Sequence, residues 1–577
     1  MGQGAAVSVP WTSRRSVLAA GALSPLSHLL SGCITQREIT GGFTSTSPER
    51  GHLLRQARSD AQPTVTRRVH TLIAGGGVAG LSAARALRLQ GMDDFAVLEL
   101  EDSAGGNARA GSMAGMAHPL GAHYLPVPSD AAPETQDFLE ELGVRQRVAG
   151  RWQYDERVLC HSPQERLYFN GAWQDGLLPT AGVAASTLAQ YAKFAQLIEQ
   201  WRSTGGFQIP RLNTAAVQVF IAQLAMPFIA YLEAQGLNDA YLRWYLDYCC
   251  RDDYGVGIDT VSAWAGIHYF AARHGFSAPG LLAGQTPSSQ QPDKERDGVL
   301  TWPQGNAYLT QALAQPLASR LHTQRLIVKI SEDKSGVTVD ALNVQTQALE
   351  RWQAQRCIVA LPVFIAARVV DNAPDFVRHT AQHTSYSSWL VANVHINAPL
   401  LDTGGETAGA APSWDNVIYQ EPANAQSAPT GLGYVDAMHQ STRTAPGPSV
   451  LTYYRALGTS MQARRDLLAK PWAQHRDETL ADLAVAHPDI GQRAVQVNIT
   501  RYGHAMAVPT PAFINQIALK PKYLLLKQLS KKERYGISEQ SAVTPATARL
   551  RFAHSDWAGY SVFEEAFRAG MLATLHG

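Results

Sequence analysis

One hexapeptide, Gly75-Gly76-Gly77-Val78-Ala79-Gly80, constrains this 577-residue chain more than any other stretch. It matches GxGxxG, and its surroundings supply the context that the motif needs. Residues 69–74 form an apolar run between Arg68 and the glycines, the pattern of a buried parallel strand. Residues 78–90 place Val78, Leu81, Ala84 and Leu87 on one helical face, with Gly91 as the stop. A second strand over residues 95–100 carries Glu99 near its end. In such a unit Gly75 permits the tight turn, Gly77 lets the backbone approach a pyrophosphate, and Gly80 lets helix and strand pack closely. Val78 and Ala79, at the helix N-terminus, offer free N–H groups to phosphate. Glu99 accepts hydrogen bonds from a ribose diol. The alternative is a structural strand-to-helix turn; strand, helix, second strand and acid in this order favour a bound dinucleotide.

Further segments indicate which dinucleotide. Gly105-Gly106-Asn107-Ala108-Arg109 follows six residues after Glu99, and Pro119-Leu120-Gly121-Ala122-His123-Tyr124 comes next. Later stand Thr301-Trp302-Pro303-Gln304-Gly305-Asn306, Arg325-Leu326-Ile327-Val328-Lys329-Ile330 and Cys357-Ile358-Val359-Ala360-Leu361-Pro362. The C-terminus reads Phe552-Ala553-His554-Ser555-Asp556-Trp557-Ala558-Gly559-Tyr560-Ser561, then Glu564-Glu565-Ala566 and Gly570. In this order the segments resemble the flavin-containing amine oxidase family, and they cover about a third of the chain. The resemblance implies an α/β fold: a Rossmann-like FAD-binding domain with an inserted mixed α+β substrate domain. It implies FAD contacts at Gly105, Gly106, Asn107, Gly121, Ala122, His123, Val328 (backbone against adenine), Asp556, Tyr560 and Ser561. The family often has arginine where Glu101 and Asn107 stand, so Arg109 is expected to reach the phosphates. It has glycine where His554 stands. No cysteine follows Cys357, so the cysteinyl link of monoamine oxidases is absent and the FAD is expected to be non-covalent.

The resemblance divides the chain into FAD-binding parts at 67–125, 297–372 and 541–577. Two inserts, 126–296 (helical) and 373–540 (mixed), form the substrate domain. Helical patterns run over residues 187–202 and 214–235. By the same resemblance, candidates for the chemistry are Tyr560, flanking the flavin ring, and Tyr502 or His504 facing it, with His123 in the loop past the ring. Tyr560 and His504 also read as ordinary core residues. Aromatic walls attract an amine by cation–π forces of about 0.5–2 kcal/mol. Asp252 and Asp253 either hold an amine's second charge or cap a helix; His268 and Tyr269 line a cavity or pack. The expected chemistry is hydride transfer to flavin N5. Residues 376–397 lack the lysine that many amine oxidases place there, which leaves oxygen and a quinone or protein acceptor both open. A desaturase or protoporphyrinogen-oxidase relative, acting on C–C bonds, would show an apolar tunnel without an acidic cluster. A non-enzymatic flavin-binding lipoprotein is the third reading.

The N-terminus carries an address. Arg14-Arg15 precedes an apolar run over residues 17–30, too short to span a bilayer and interrupted by Pro25 and His28. This resembles a twin-arginine export signal, and Leu30-Ser31-Gly32-Cys33 resembles a lipobox. Residues 1–33 are therefore expected to be a signal with a lipidated Cys33, giving a periplasmic, membrane-anchored lipoprotein. Residues 34–66 are polar and read as a flexible tether. With 49 basic and 48 acidic residues, the chain lacks the excess positive charge of a nucleic-acid binder. Five cysteines are too few for a disulfide framework, and no CxxC or HExxH motif suggests a metal site.

Overall fold

The computed structural model describes residues 38–44, 46–56, 62–160, 164–211, 215–273, 275–279, 298–401, 413–420, 431–441, 443, 446–519 and 545–575. The Arg14-Arg15 pair, the apolar run 17–30 and Cys33 lie outside the described residues. None of the described helices is long and apolar enough to cross a membrane.

Two large sheets organise the fold. In the first, Val65–Ala74 lies parallel to Phe95–Leu98 on one side and to Leu349–Val359 on the other. Leu321–His322 extends it past Phe95–Leu98. The antiparallel strands Val337–Asn343 and Arg325–Glu332 extend the opposite side, and Leu550–Phe552 pairs in parallel with Leu349–Val359. Alternation along the central strands buries both faces, as parallel sheets require. Ile73, Val97 and Ile358 pack with Leu81, Phe563 and Phe567. Leu72, Ala74, Leu98 and Val359 pack on the other side with Ala366, Val369 and Phe552. The helices Val78–Leu89 and Phe563–Leu572 meet where a Cβ on Gly570 would lie 2.0 Å from the Ala79 carbonyl oxygen.

The second sheet has eight strands and draws on both inserts. Its order is Thr40–Phe43, Ala494–Val508, Ser385–Ile396, Ser449–Ala456, Tyr434–Asp436, Asp415–Ile418, Glu165–Phe169 and Ala172–Asp175. One hydrophobic cluster joins it to the helices Ala185–Ser203, Ala240–Tyr254 and Ala263–Ala271.

Two expectations are corrected. The helical pattern over residues 214–235 is two helices, Ala215–Gln223 and Phe228–Ala234. Pro227 cannot continue a helix, and its neighbour Phe228 gives its N–H to the Val261 carbonyl instead. Residues 34–66 are not a uniform flexible tether. Thr40–Phe43 is an edge strand, parallel to Gln496–Ile499 by register. Pro48–His52 is a helix capped by Ser47, whose Oγ accepts from Arg50 N.

Candidate active site

A cavity of about 500 Å³ runs between the two sheets. One end is built by the glycine loops. Gly75 sits at φ +107°, and a Cβ there would stand 2.3 Å from the Ala360 carbonyl oxygen. Only glycine makes that turn beside that strand. Gly105 N donates to Gly76 O at 2.8 Å, locking the two glycine loops together. A Cβ on Gly77 would find nothing nearer than Gly106 Cα at 4.0 Å. The space before the N-terminus of helix Val78–Leu89 is therefore open to a ligand. Glu99 Oε2 accepts from Gly76 N at 2.9 Å and Oε1 from Glu101 N at 2.8 Å. Burial raises its pKa, and those two N–H groups oppose the rise.

These features fit the ADP half of FAD: unpaired helix-terminal N–H groups for pyrophosphate and a buried carboxylate at ribose distance along the chain. Gly75, Gly77, Val78, Ala79, Glu99, Gly105, Gly106 and Asn107 line the cavity. Gly80 does not; it packs against Gly75, whose carbonyl oxygen a Cβ there would meet at 1.8 Å. Arg109 does not line it either. Its Nε donates to Gly106 O and its NH2 to Thr46 Oγ1 at 2.8 Å. Val328 is also displaced. A bulge between Ile327 and Lys329 shifts the register, and Arg325, Leu326 and Ile327 face the cavity in its place.

Asp556 lines the middle of the cavity and is 1% exposed. It accepts from Val363 N at 2.9 Å and Tyr386 OH at 2.5 Å, and His554 Nδ1 lies 3.0 Å away. Burial raises its pKa, but His554 and these donors outweigh that and hold the carboxyl below its ordinary value. Ser561 lines the cavity, and its Oγ accepts from Ala507 N.

At the far end, the loop carrying Gly121, Ala122 and His123 is pinned by the second insert. Tyr502 OH donates to Leu120 O at 2.7 Å, Tyr454 OH to Gly121 O at 2.9 Å, and Asn393 Nδ2 to Pro119 O at 2.9 Å. His123 lies 4.6 Å from the Tyr454 ring, and burial depresses its pKa to about 3, so it is neutral. Tyr502 lines the cavity. His504 does so only at an exposed rim, stacked 4.6 Å from Phe364.

Tyr560 is corrected. It is fully buried and absent from the cavity wall, which Ser561, Val562, Phe563 and Glu564 supply. Its hydroxyl donates to Glu565 Oε1 at 2.6 Å, and its ring lies against His268 and Trp264. His268 is core as well, bonded to Gln208 O.

Asp252 and Asp253 line the far wall. They do not cap a helix N-terminus. They stand in the last turn of Ala240–Tyr254, ahead of left-handed Gly255, where the helix dipole opposes negative charge. Asp253 pairs with Arg273 at 2.8 Å. Burial, then the charge of Asp253, raises Asp252 to a pKa of about 7, while Arg273 and a hydrogen bond from Tyr124 oppose the rise. Burial likewise brings Glu564 to about 7. Sequence reasoning missed Tyr454, Trp389, Tyr386, Arg273, Gly51 and Leu54 among the lining residues.

A family model for flavin-containing amine oxidoreductases matches residues 78–574. The chain belongs to this family. No curated protein sequence matches it. Among solved structures, a putrescine oxidase bound to putrescine is 17% identical with a TM-score of 0.61, over 88% of this chain and 98% of that one. Cyclohexylamine oxidase from Brevibacterium oxydans IH-35A is 15% identical with a TM-score of 0.56, over 88% and 98%. A fatty acid isomerase from P. acnes is 15% identical with a TM-score of 0.55, over 87% and 97%. These likenesses establish a shared fold. Membership of this family implies a bound flavin.

Proposed function

We propose that this protein is a FAD-dependent oxidoreductase that oxidises a small amine, with its FAD held non-covalently. Bound flavin supplies the two-electron acceptor, taking hydride at N5. The protein residues bind and orient. One observation carries the amine reading: Asp252 lies on the cavity wall, half-buried at the negative end of a helix, while the neighbouring Arg273 is paired with Asp253. An apolar tunnel for a C–C substrate has no use for that carboxyl, whereas an ammonium does. Tyr124, Trp389, Tyr454 and neutral His123 line the same space and offer aromatic faces to a cation.

A second reading rests on Arg273, which lines the cavity with its Nε unpartnered. It favours a substrate with a carboxylate, oxidised at a C–C bond. Anaerobic titration of the yellow holoprotein separates the two. Polyamines or aromatic amines bleach the flavin in the first reading, and unsaturated or saturated carboxylic acids do so in the second. A flavin that no ligand of either class bleaches leaves a binding scaffold. Reoxidation of the bleached protein by oxygen or by a soluble quinone then identifies the acceptor. In this reading the twin-arginine leader exports the folded holoprotein to the periplasm and an acylated Cys33 holds it at a membrane. Metabolic lipid labelling that persists in Cys33→Ser would refute the anchor.

A further inference from the structure

The segment ahead of the dinucleotide motif does more than connect. Thr40–Phe43 adds to the edge of the substrate sheet beside Ala494–Val508. Gly41, at φ +140°, lets the backbones approach: a Cβ there would lie 1.8 Å from Val497 O. The Arg501 guanidinium lies over the Phe43 ring at 3.7 Å. The chain then crosses to the other sheet. Thr46 Oγ1 accepts from Arg109 NH2. Arg50 pairs with Glu101 at 3.4 Å and Asp102 at 3.0 Å, on the loop that follows Glu99. Arg368 NH2 donates to Leu54 O at 3.3 Å. Between these anchors Gly51 and Leu54 form part of the cavity wall, and Leu54 packs in the same cluster as Leu326 and Ile327.

We infer that the described residues 40–44 and 46–55 are a strap that closes the cavity over the nucleotide half of FAD, with Arg50 as its latch. This rests on the flavin reading of the cavity. The strap is bound to both sheets, and its wall residues sit beside the strand that faces the expected adenine. FAD therefore leaves only when the strap lifts, and lifting breaks the Arg50 pairs. These pairs are partly exposed, so salt screens them. The strap holds the cofactor and takes no part in the redox step.

The test is the rate of FAD release from the full-length holoprotein, followed by the rise in free-flavin fluorescence on dilution into flavin-free buffer. Arg50→Glu turns two attractions into two repulsions, and release is expected to quicken about tenfold. Arg50→Glu combined with Asp102→Arg restores one pair and brings the rate back to within about threefold of the parent. Leu54→Ser quickens release in low and high salt alike, whereas the parent protein's release accelerates with salt. A purely structural segment would instead lower the melting temperature of the flavin-free protein, which the Arg50 variants are expected to leave in place. Release at the parental rate in both Arg50→Glu and Leu54→Ser overturns the strap. A parent protein that takes up no FAD at all overturns the flavin reading and the strap together.

Discussion

The Glu99 carboxylate holds the backbone N–H of Gly76 at 2.9 Å, across the turn that opens the nucleotide cavity. The same group takes the Glu101 N–H with its other oxygen. It is buried, so its charge is costly unless those donors and a ligand's hydroxyls satisfy it. Glu99→Gln keeps one acceptor but loses the charge, and FAD affinity is expected to fall about tenfold, the size of one charge-assisted hydrogen bond. Glu99→Lys yields colourless protein. Flavin absorbance per mole of protein after desalting checks both, and a yellow Glu99→Lys protein contradicts the assignment.

Two neighbouring glycines separate ligand approach from packing. A Cβ on Gly80 would strike Gly75 O at 1.8 Å, whereas one on Gly77 meets nothing inside 4.0 Å. Gly80→Ala is expected to destabilise the flavin-free protein by about 3 kcal/mol or more. Gly77→Ala is expected to leave its melting temperature unchanged and still weaken FAD binding. Thermal unfolding of the flavin-free forms, set beside FAD titration, reads the difference. Equal melting losses in the two variants would mean that Gly77 serves packing alone.

The legible parts were those written in local sequence. The glycine loop, its flanking strand and helix, and Glu99 form one short unit; residues 78–90 match Val78–Leu89 closely, and residues 69–74 are the second half of the longer strand Val65–Ala74, whose first residues are exposed. Asp252 and Asp253 stood out as adjacent acids. Tyr560 misled because a motif match counts residues and not the path of the chain. Tyr560 turns inward to Glu565, so the residues after it reach the cavity. Tyr454 and Trp389 sit on strands whose partners lie far away in sequence, and no local pattern tells which face meets the cavity. Arg109 had only its charge to recommend it; its partner Thr46 belongs to a segment whose polar composition concealed a strand and a helix. The hairpin Glu165–Phe169 to Ala172–Asp175 did carry a signal, the Asn170-Gly171 pair, both at positive φ.

Tyr560 gives a prediction of opposite kind to that of a wall aromatic. Tyr560→Phe removes the donor to buried Glu565 and is expected to cost about 1.5–3 kcal/mol of stability, with KM and kcat for any bleaching amine within about twofold of the parent. Tyr454→Phe frees the Gly121 carbonyl of the loop that carries His123 and is expected to lower kcat/KM about tenfold. Steady-state kinetics and thermal melts of the two variants decide between wall and core; a Tyr560→Phe enzyme that keeps its stability and loses its rate would return Tyr560 to the site.

Asp252 ties pH, stability and binding together. Its pKa is about 7 in the folded protein against 3.8 in the unfolded chain. Between those values the folded state holds a proton that the unfolded state has lost, so stability falls as pH rises from about 4 to about 7. Asp252→Asn removes that loss, and its melting temperature at pH 7.5 is expected to exceed the parent's by about 1–3 °C. The same change costs the amine its counter-charge, raising KM about 10- to 100-fold. The pH profile carries the sign: parental KM for a strongly basic amine falls as pH rises through about 7, where Asp252 ionises, and the Asp252→Asn profile loses most of that slope. Glu564, also near 7 and beside Arg273 and Asp253, titrates over the same range, so a remaining slope is assigned by repeating the measurement in Glu564→Gln. An Asp252→Asn enzyme with the parent's KM and pH profile would remove the carboxyl from amine recognition and leave Arg273 as the charged group that selects the substrate.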